Sequence, residues 1–104
     1  MNLREYQELA ERLALPTALN DQYLSLGLAG EAGEVASLFA KAVRDSQGLV
    51  SRDNLKKELG DVLWFVAVLA KQYNIDLQDI AISNINKLRS RQERGVLGGS
   101  GDDR

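Results

Sequence analysis

The chain has neither cysteine nor histidine among its 104 residues. Without cysteine there is no disulfide, no thiol nucleophile, no iron–sulfur cluster and no Cys-based zinc site. Without histidine there is no Ser-His-Asp triad, no imidazole–metal site and no general base of the usual neutral-pH kind. Any catalysis rests on carboxylates, Lys, Arg, hydroxyls and a hard cation. Charge of one sign is also lacking: 13 basic and 15 acidic side chains leave a net charge of −2. That balance argues against a dedicated nucleic-acid binder, so no long nucleic acid is expected as a partner. The longest unbroken apolar run, Val62 to Ala70, is far short of the ~20 residues that cross a bilayer. The first fifteen residues carry Arg4, Glu5, Glu8, Glu11 and Arg12, so no apolar signal-peptide stretch is present there. The expectation is one small, soluble, cytoplasmic domain with no membrane partner.

Helical spacing dominates what is there. Leu3, Tyr6, Leu9, Ala10 and Leu13 form one apolar face behind a potential cap, Asn2, and Leu15-Pro16 ends that segment. Asn20-Asp21 opens a second helix that runs to about Asp45, followed by a turn at Ser46-Gln47-Gly48. A third helix starts near Ser51 to Asp53 and runs to about Tyr73. It is amphipathic before Asp61 and apolar on all sides from Val62, which points to burial and, in so small a protein, to a subunit interface. Asp76, with Asp79 three residues on, resembles a capping box for a fourth helix reaching about Arg94. The fold class is all-α, with four helices over residues 1–94 and a Gly-rich tail over 95–104.

Two acidic pairs carry the chemistry. Glu31 and Glu34 stand three apart in Gly27-Leu-Ala-Gly-Glu-Ala-Gly-Glu-Val35, and Glu58 and Asp61 stand three apart in Lys57-Glu-Leu-Gly-Asp-Val62. Residues so spaced share a helix face, where like charges repel. Both pairs lie among small and apolar residues, so their charges need protons, cations or a metal. Four carboxylates on two facing helices offer the hard oxygen ligands that Mg²⁺ prefers. The plain alternative is a pair of solvated, ion-paired faces. Gly30, Gly33 and Gly60, poor helix formers, suggest the close approach of another helix or a ligand.

The stretch Asn84-Ile-Asn-Lys-Leu-Arg-Ser-Arg-Gln-Glu-Arg94 is basic. Its cations either complement the helix C-terminus or form a phosphate site in which Lys87, Arg91 and Asn84 share one face. Lys41 lies on roughly the same face as Glu34. Tyr23, Trp64 and Phe65 are candidates for stacking on a base, with core packing as the alternative; Phe65 shares a face with Glu58 and Asp61. The tail Gly98-Gly-Ser-Gly-Asp102 either stays disordered or wraps an anion with its N–H groups.

From Tyr6-Gln7 through the two acidic motifs, Glu58-Leu-Gly-Asp-Val-Leu-Trp64, Asn84-Ile-Asn-Lys-Leu88 and the Gly-Ser-Gly-Asp tail, the chain resembles the MazG-like nucleoside triphosphate pyrophosphohydrolases of the all-α NTP pyrophosphatase superfamily. The resemblance implies a four-helix protomer assembling by helix packing into a dimer or tetramer. It implies Mg²⁺, with Mn²⁺ as a substitute, on Glu31, Glu34, Glu58 and Asp61, and hydrolysis of a (d)NTP to the monophosphate and pyrophosphate. Lys41, Phe65, Asn84, Lys87 and Arg91 are the substrate-binding candidates. Glu34 is the choice for activating water among near-equal carboxylates. A non-catalytic helical dimer that binds nucleotide or a protein partner is the alternative.

Overall fold

The computed structural model describes residues 1–104. It is all helical: α1 (Leu3–Arg12), a 3-10 turn (Pro16–Ala18), α2 (Asp21–Asp45), α3 (Arg52–Gln72) and α4 (Leu77–Glu93). Each long helix opens on a polar cap. Asn2, Asn20, Ser51 and Asp76 accept from the N–H groups of Glu5, Tyr23, Asn54 and Gln78. Such a side chain satisfies one of the donors that a helix start leaves unpaired. The turn between α2 and α3 takes positive φ at Gln47 and Gly48. The 3-10 turn after Pro16 is an element that the helical periodicity gave no sign of. At Asp76 only half of the expected capping box forms. Its carboxylate accepts from Gln78, and the Leu77 N–H is taken by Gln7 of α1.

Helix α2 pairs along α3, α1 lies across α3, and α4 meets α1 and the end of α3. The core where they meet is Ala10, Leu24, Phe65, Ala67, Val68 and Leu77. Gln7 is buried inside this arrangement and donates to the carbonyls of Ala67 (3.0 Å) and Ile75 (2.9 Å). Trp64 Nε1 donates to the Ala10 carbonyl at 3.2 Å.

Two expectations change. The run Val62 to Ala70 finds most of its cover inside the protomer: Phe65, Ala67, Val68 and Ala70 are buried, and only Leu63 of the run is exposed. It is the central helix of the protomer before it is anything else. The close helix approach occurs at Gly27, where a Cβ would collide with the Phe65 ring. At Gly30, Gly33 and Gly60 a Cβ would meet nothing within 4 Å.

The molecule is open. Its radius of gyration is 16.4 Å, against about 13 Å for a compact domain of this length. Leu26, Phe39 and Val43 on α2, Leu59 on α3, and Ile82 and Ile85 on α4 face outward.

Candidate metal centre and basic helix

Glu31 on α2 and Glu58 and Asp61 on α3 come together across the helix pair, with a carboxylate oxygen of each within 4.8 Å of the others. Glu31 and Glu58 are half-buried and Asp61 is exposed. No Lys or Arg pairs with any of the three. Burial, then the charges of Asp61, Glu58 and Glu34, push the Glu31 carboxyl above the ordinary glutamate range. Like charges have been brought together with no cation of the chain to offset them.

Glu34 stands outside this group, exposed and one turn further along α2, near enough for its charge to act on Glu31. Three of the four expected ligands therefore converge in the protomer. Tyr6, on the apolar face of α1, also reaches this neighbourhood, although its spacing gave no sign of it. Burial, and after it the Asp61 charge, raises its phenol above the usual tyrosine range, so it stays a neutral hydroxyl there.

Phe65 is a core residue. Its ring is 8% exposed and lies edge-on to Trp64, with centroids 5.0 Å apart, and 5.9 Å from Tyr23. Packing, not a free stacking face, is the use the fold makes of it, because the small Gly27 opposite admits the ring. Lys41 is exposed at the far end of α2, in an open cavity with Leu38, Asp45 and Asn54. It lies ten residues beyond Glu31, about 15 Å along a helix, and does not join the carboxylates.

The basic side chains of α4 share neither an ion pair nor a cavity with the carboxylate group. Asn84 and Lys87 line an open cavity of about 370 Å³ with Ile75, Asp79, Ile80 and Ser83. Ile75 and Ile80 are shared with a larger apolar cavity of about 510 Å³ that reaches Leu28, one turn before Glu31, and Leu69. Arg91 is not a free cation. It is buried, and its Nη2 donates to the Asp102 carbonyl at 2.6 Å. The tail that was expected to be disordered or to offer N–H groups to an anion is folded on α4 instead, and it turns carbonyls toward Arg91 and Arg104.

The family model for the MazG nucleotide pyrophosphohydrolase domain matches residues 19–96, which takes in both acidic motifs and the whole of α4. The chain is also similar to the Gene 37 protein of Mycobacterium phage L5, with 49% identity over 85 residues, 79% of this chain and 75% of that protein. The phage protein's name states no activity. No solved structure matches.

Proposed function

Since the chain belongs to the MazG nucleotide pyrophosphohydrolase family, we propose that it is a Mg²⁺-dependent enzyme that hydrolyses a (d)NTP to the (d)NMP and pyrophosphate. The observation that carries this reading is the convergence of Glu31, Glu58 and Asp61 without a cation. The donor set fits a hard divalent ion: carboxylate oxygens only, from two helices, with no nitrogen or sulfur ligand in the chain. Glu31, Glu58 and Asp61 would hold such an ion, with Glu34 as the outer carboxylate of the set, and the ion would supply charge to offset the phosphates and make a bound water more acidic.

The remaining work falls to the protein's own groups. Water adds across the bond between the α- and β-phosphates, and one of its protons passes to a carboxylate, for which Glu34 is the choice. Exposed and outside the three-carboxylate group, Glu34 is accessible for that transfer. The apolar cavity from Leu28 to Leu69 provides a wall for the nucleoside. Asn84 and Lys87 offer an amide and a cation to the phosphates. No carboxylate of the group lines their cavity, and the reading takes as the working unit a homodimer, or a pair of dimers, in which α4 faces a second copy. The outward Ile82 and Ile85 of α4, and Leu26 and Val43 of α2, give that assembly apolar surface to bury.

Pyrophosphate release from mixed dNTPs tests the reading. It is expected with Mg²⁺ and absent with EDTA. A protein that binds nucleotide but releases no pyrophosphate under either condition is the non-catalytic dimer instead.

A further inference from the structure

Helix α4 ends at Glu93, Gly95 takes a positive φ, and the chain turns back along the helix. Arg104 staples the returning loop. Its Nε donates to the carbonyls of Val96 (3.1 Å) and Gly98 (3.0 Å), its Nη2 to that of Leu97 (3.0 Å), and its Nη1 to that of Gly101. The loop delivers Asp102 to the two basic residues of α4. One carboxylate oxygen, Oδ1, accepts from Lys87 Nζ at 3.1 Å and lies 3.3 Å from Arg91 Nη2. A single oxygen shared between two cations is the position that a non-bridging phosphate oxygen would take. Beneath it, the Arg91 side chain is 5% exposed and its Nε is buried with no acceptor.

We propose that the Asp102 carboxylate is a built-in competitor for the polyphosphate at Lys87 and Arg91, and that it sets how weakly that anion and the pyrophosphate product are held. The inference rests on the reading of Lys87 as a phosphate contact and extends it to Arg91, which shares the same Asp102 oxygen. Two features of the loop carry it. First, the loop is anchored by main-chain carbonyls: Arg91 bonds the Asp102 carbonyl, and Arg104 bonds four others. The carboxylate can therefore leave Lys87 by side-chain rotation while the loop keeps its place. Second, the Asp102 side chain is 82% exposed, and ion pairs that open to water are weak. An anion of higher charge displaces such a group readily and gives it up again on release. Lys87 and Arg91 hold the Asp102 carboxyl below the usual aspartate range, so it is charged, and competing, throughout the neutral range.

The test is calorimetric titration of the full chain with inorganic pyrophosphate and Mg²⁺, beside KM for a dNTP. Asp102→Asn is compared with Asp103→Asn, a neighbour that carries the same charge change and pairs with no cation. Asp102→Asn is expected to bind pyrophosphate about two- to fivefold tighter, the range that an exposed ion pair is worth. KM should fall alongside. Asp103→Asn should bind as the unaltered chain does. Asp102→Ala gives the same readout where the Asn amide itself stays bonded to Lys87. Weaker or unchanged binding in both Asp102 variants overturns the proposal, and so does an equal gain in Asp103→Asn. So does an absence of pyrophosphate binding in every variant. Tighter pyrophosphate binding without dNTP turnover upholds the competitor and removes only the hydrolase reading.

Discussion

The Leu77 N–H donates to Gln7 Oε1 at 3.0 Å, so a side chain of the first helix caps the last. The same amide donates to Ala67 on α3 and to Ile75 in the turn between α3 and α4. One buried residue thus ties α1, α3 and the start of α4 together, and it fixes the origin from which Asn84 and Lys87 project. Gln7→Ala leaves the Leu77 N–H and the Ile75 carbonyl without that partner. A loss of about 1–3 kcal/mol is expected, a fall in Tm of roughly 5–20 °C by thermal melt. A Tm within a degree of the unaltered protein would contradict this account of how α4 is held.

The glycines of α2 should separate by sign. Gly27→Ala gains about 1 kcal/mol of helix propensity and meets the Phe65 ring, an overpacking cost of about 1–3 kcal/mol. Gly30→Ala meets nothing and keeps the gain. Denaturant melts should therefore show Gly27→Ala less stable than Gly30→Ala by about 1–3 kcal/mol. Equal stabilities would mean that Phe65 does not press on α2.

Removing a charge from the three-carboxylate group should help the fold and abolish the chemistry. Glu58→Gln relieves part of the repulsion around Glu31, so its Tm in EDTA should be at least that of the unaltered chain. Millimolar Mg²⁺ should raise the Tm of the unaltered chain by selective binding to the folded state and leave Glu58→Gln flat. Pyrophosphate release should fall to background. Normal turnover in Glu58→Gln ends the metal assignment.

The cation of α4 makes a kinetic prediction. Lys87→Ala, if the side chain contacts phosphate, loses a charge-assisted bond of roughly 1.5–3 kcal/mol, and kcat/KM drops by about 10- to 150-fold. If Lys87 only complements the helix end, stability falls by about 0.3–1 kcal/mol and the kinetics stay as they were.

Acid should weaken the α1–α4 junction through Asp76. The Gln78 N–H, and then Arg4, 2.6 Å away, hold its carboxyl below the usual aspartate range. A group whose folded pKa is depressed contributes its full stability above the unfolded value, here 3.8, and loses it as pH falls through the folded value. Tm should therefore decline below about pH 4, and Asp76→Ala should lower Tm at neutral pH and flatten that acid limb. An acid limb of the same steepness in Asp76→Ala would assign the effect to other carboxylates.

Local order was written in the sequence because its causes are local. Asn2, Asn20 and Asp76 mark helix starts by bonding N–H groups two or three residues on, and the apolar spacing set where α2 and α3 run. The pairs Glu31/Glu34 and Glu58/Asp61 were legible for the same reason: a separation of three puts both members on one face of a helix whatever that helix meets. Which faces meet is a long-range matter, and there only the tertiary structure decided. The rotation of α2 against α3 brings Glu31 to Glu58 and Asp61 and leaves Glu34 outside. It also puts Gly27, rather than Gly30 or Gly33, under an aromatic ring, and so turns Phe65 into core. The tail was illegible for a further reason. Its order comes from Arg104 and Arg91 collecting carbonyl groups, and every residue supplies a carbonyl whatever its side chain. No pattern of residue types announces such a loop; it exists only once the chain has turned back on α4.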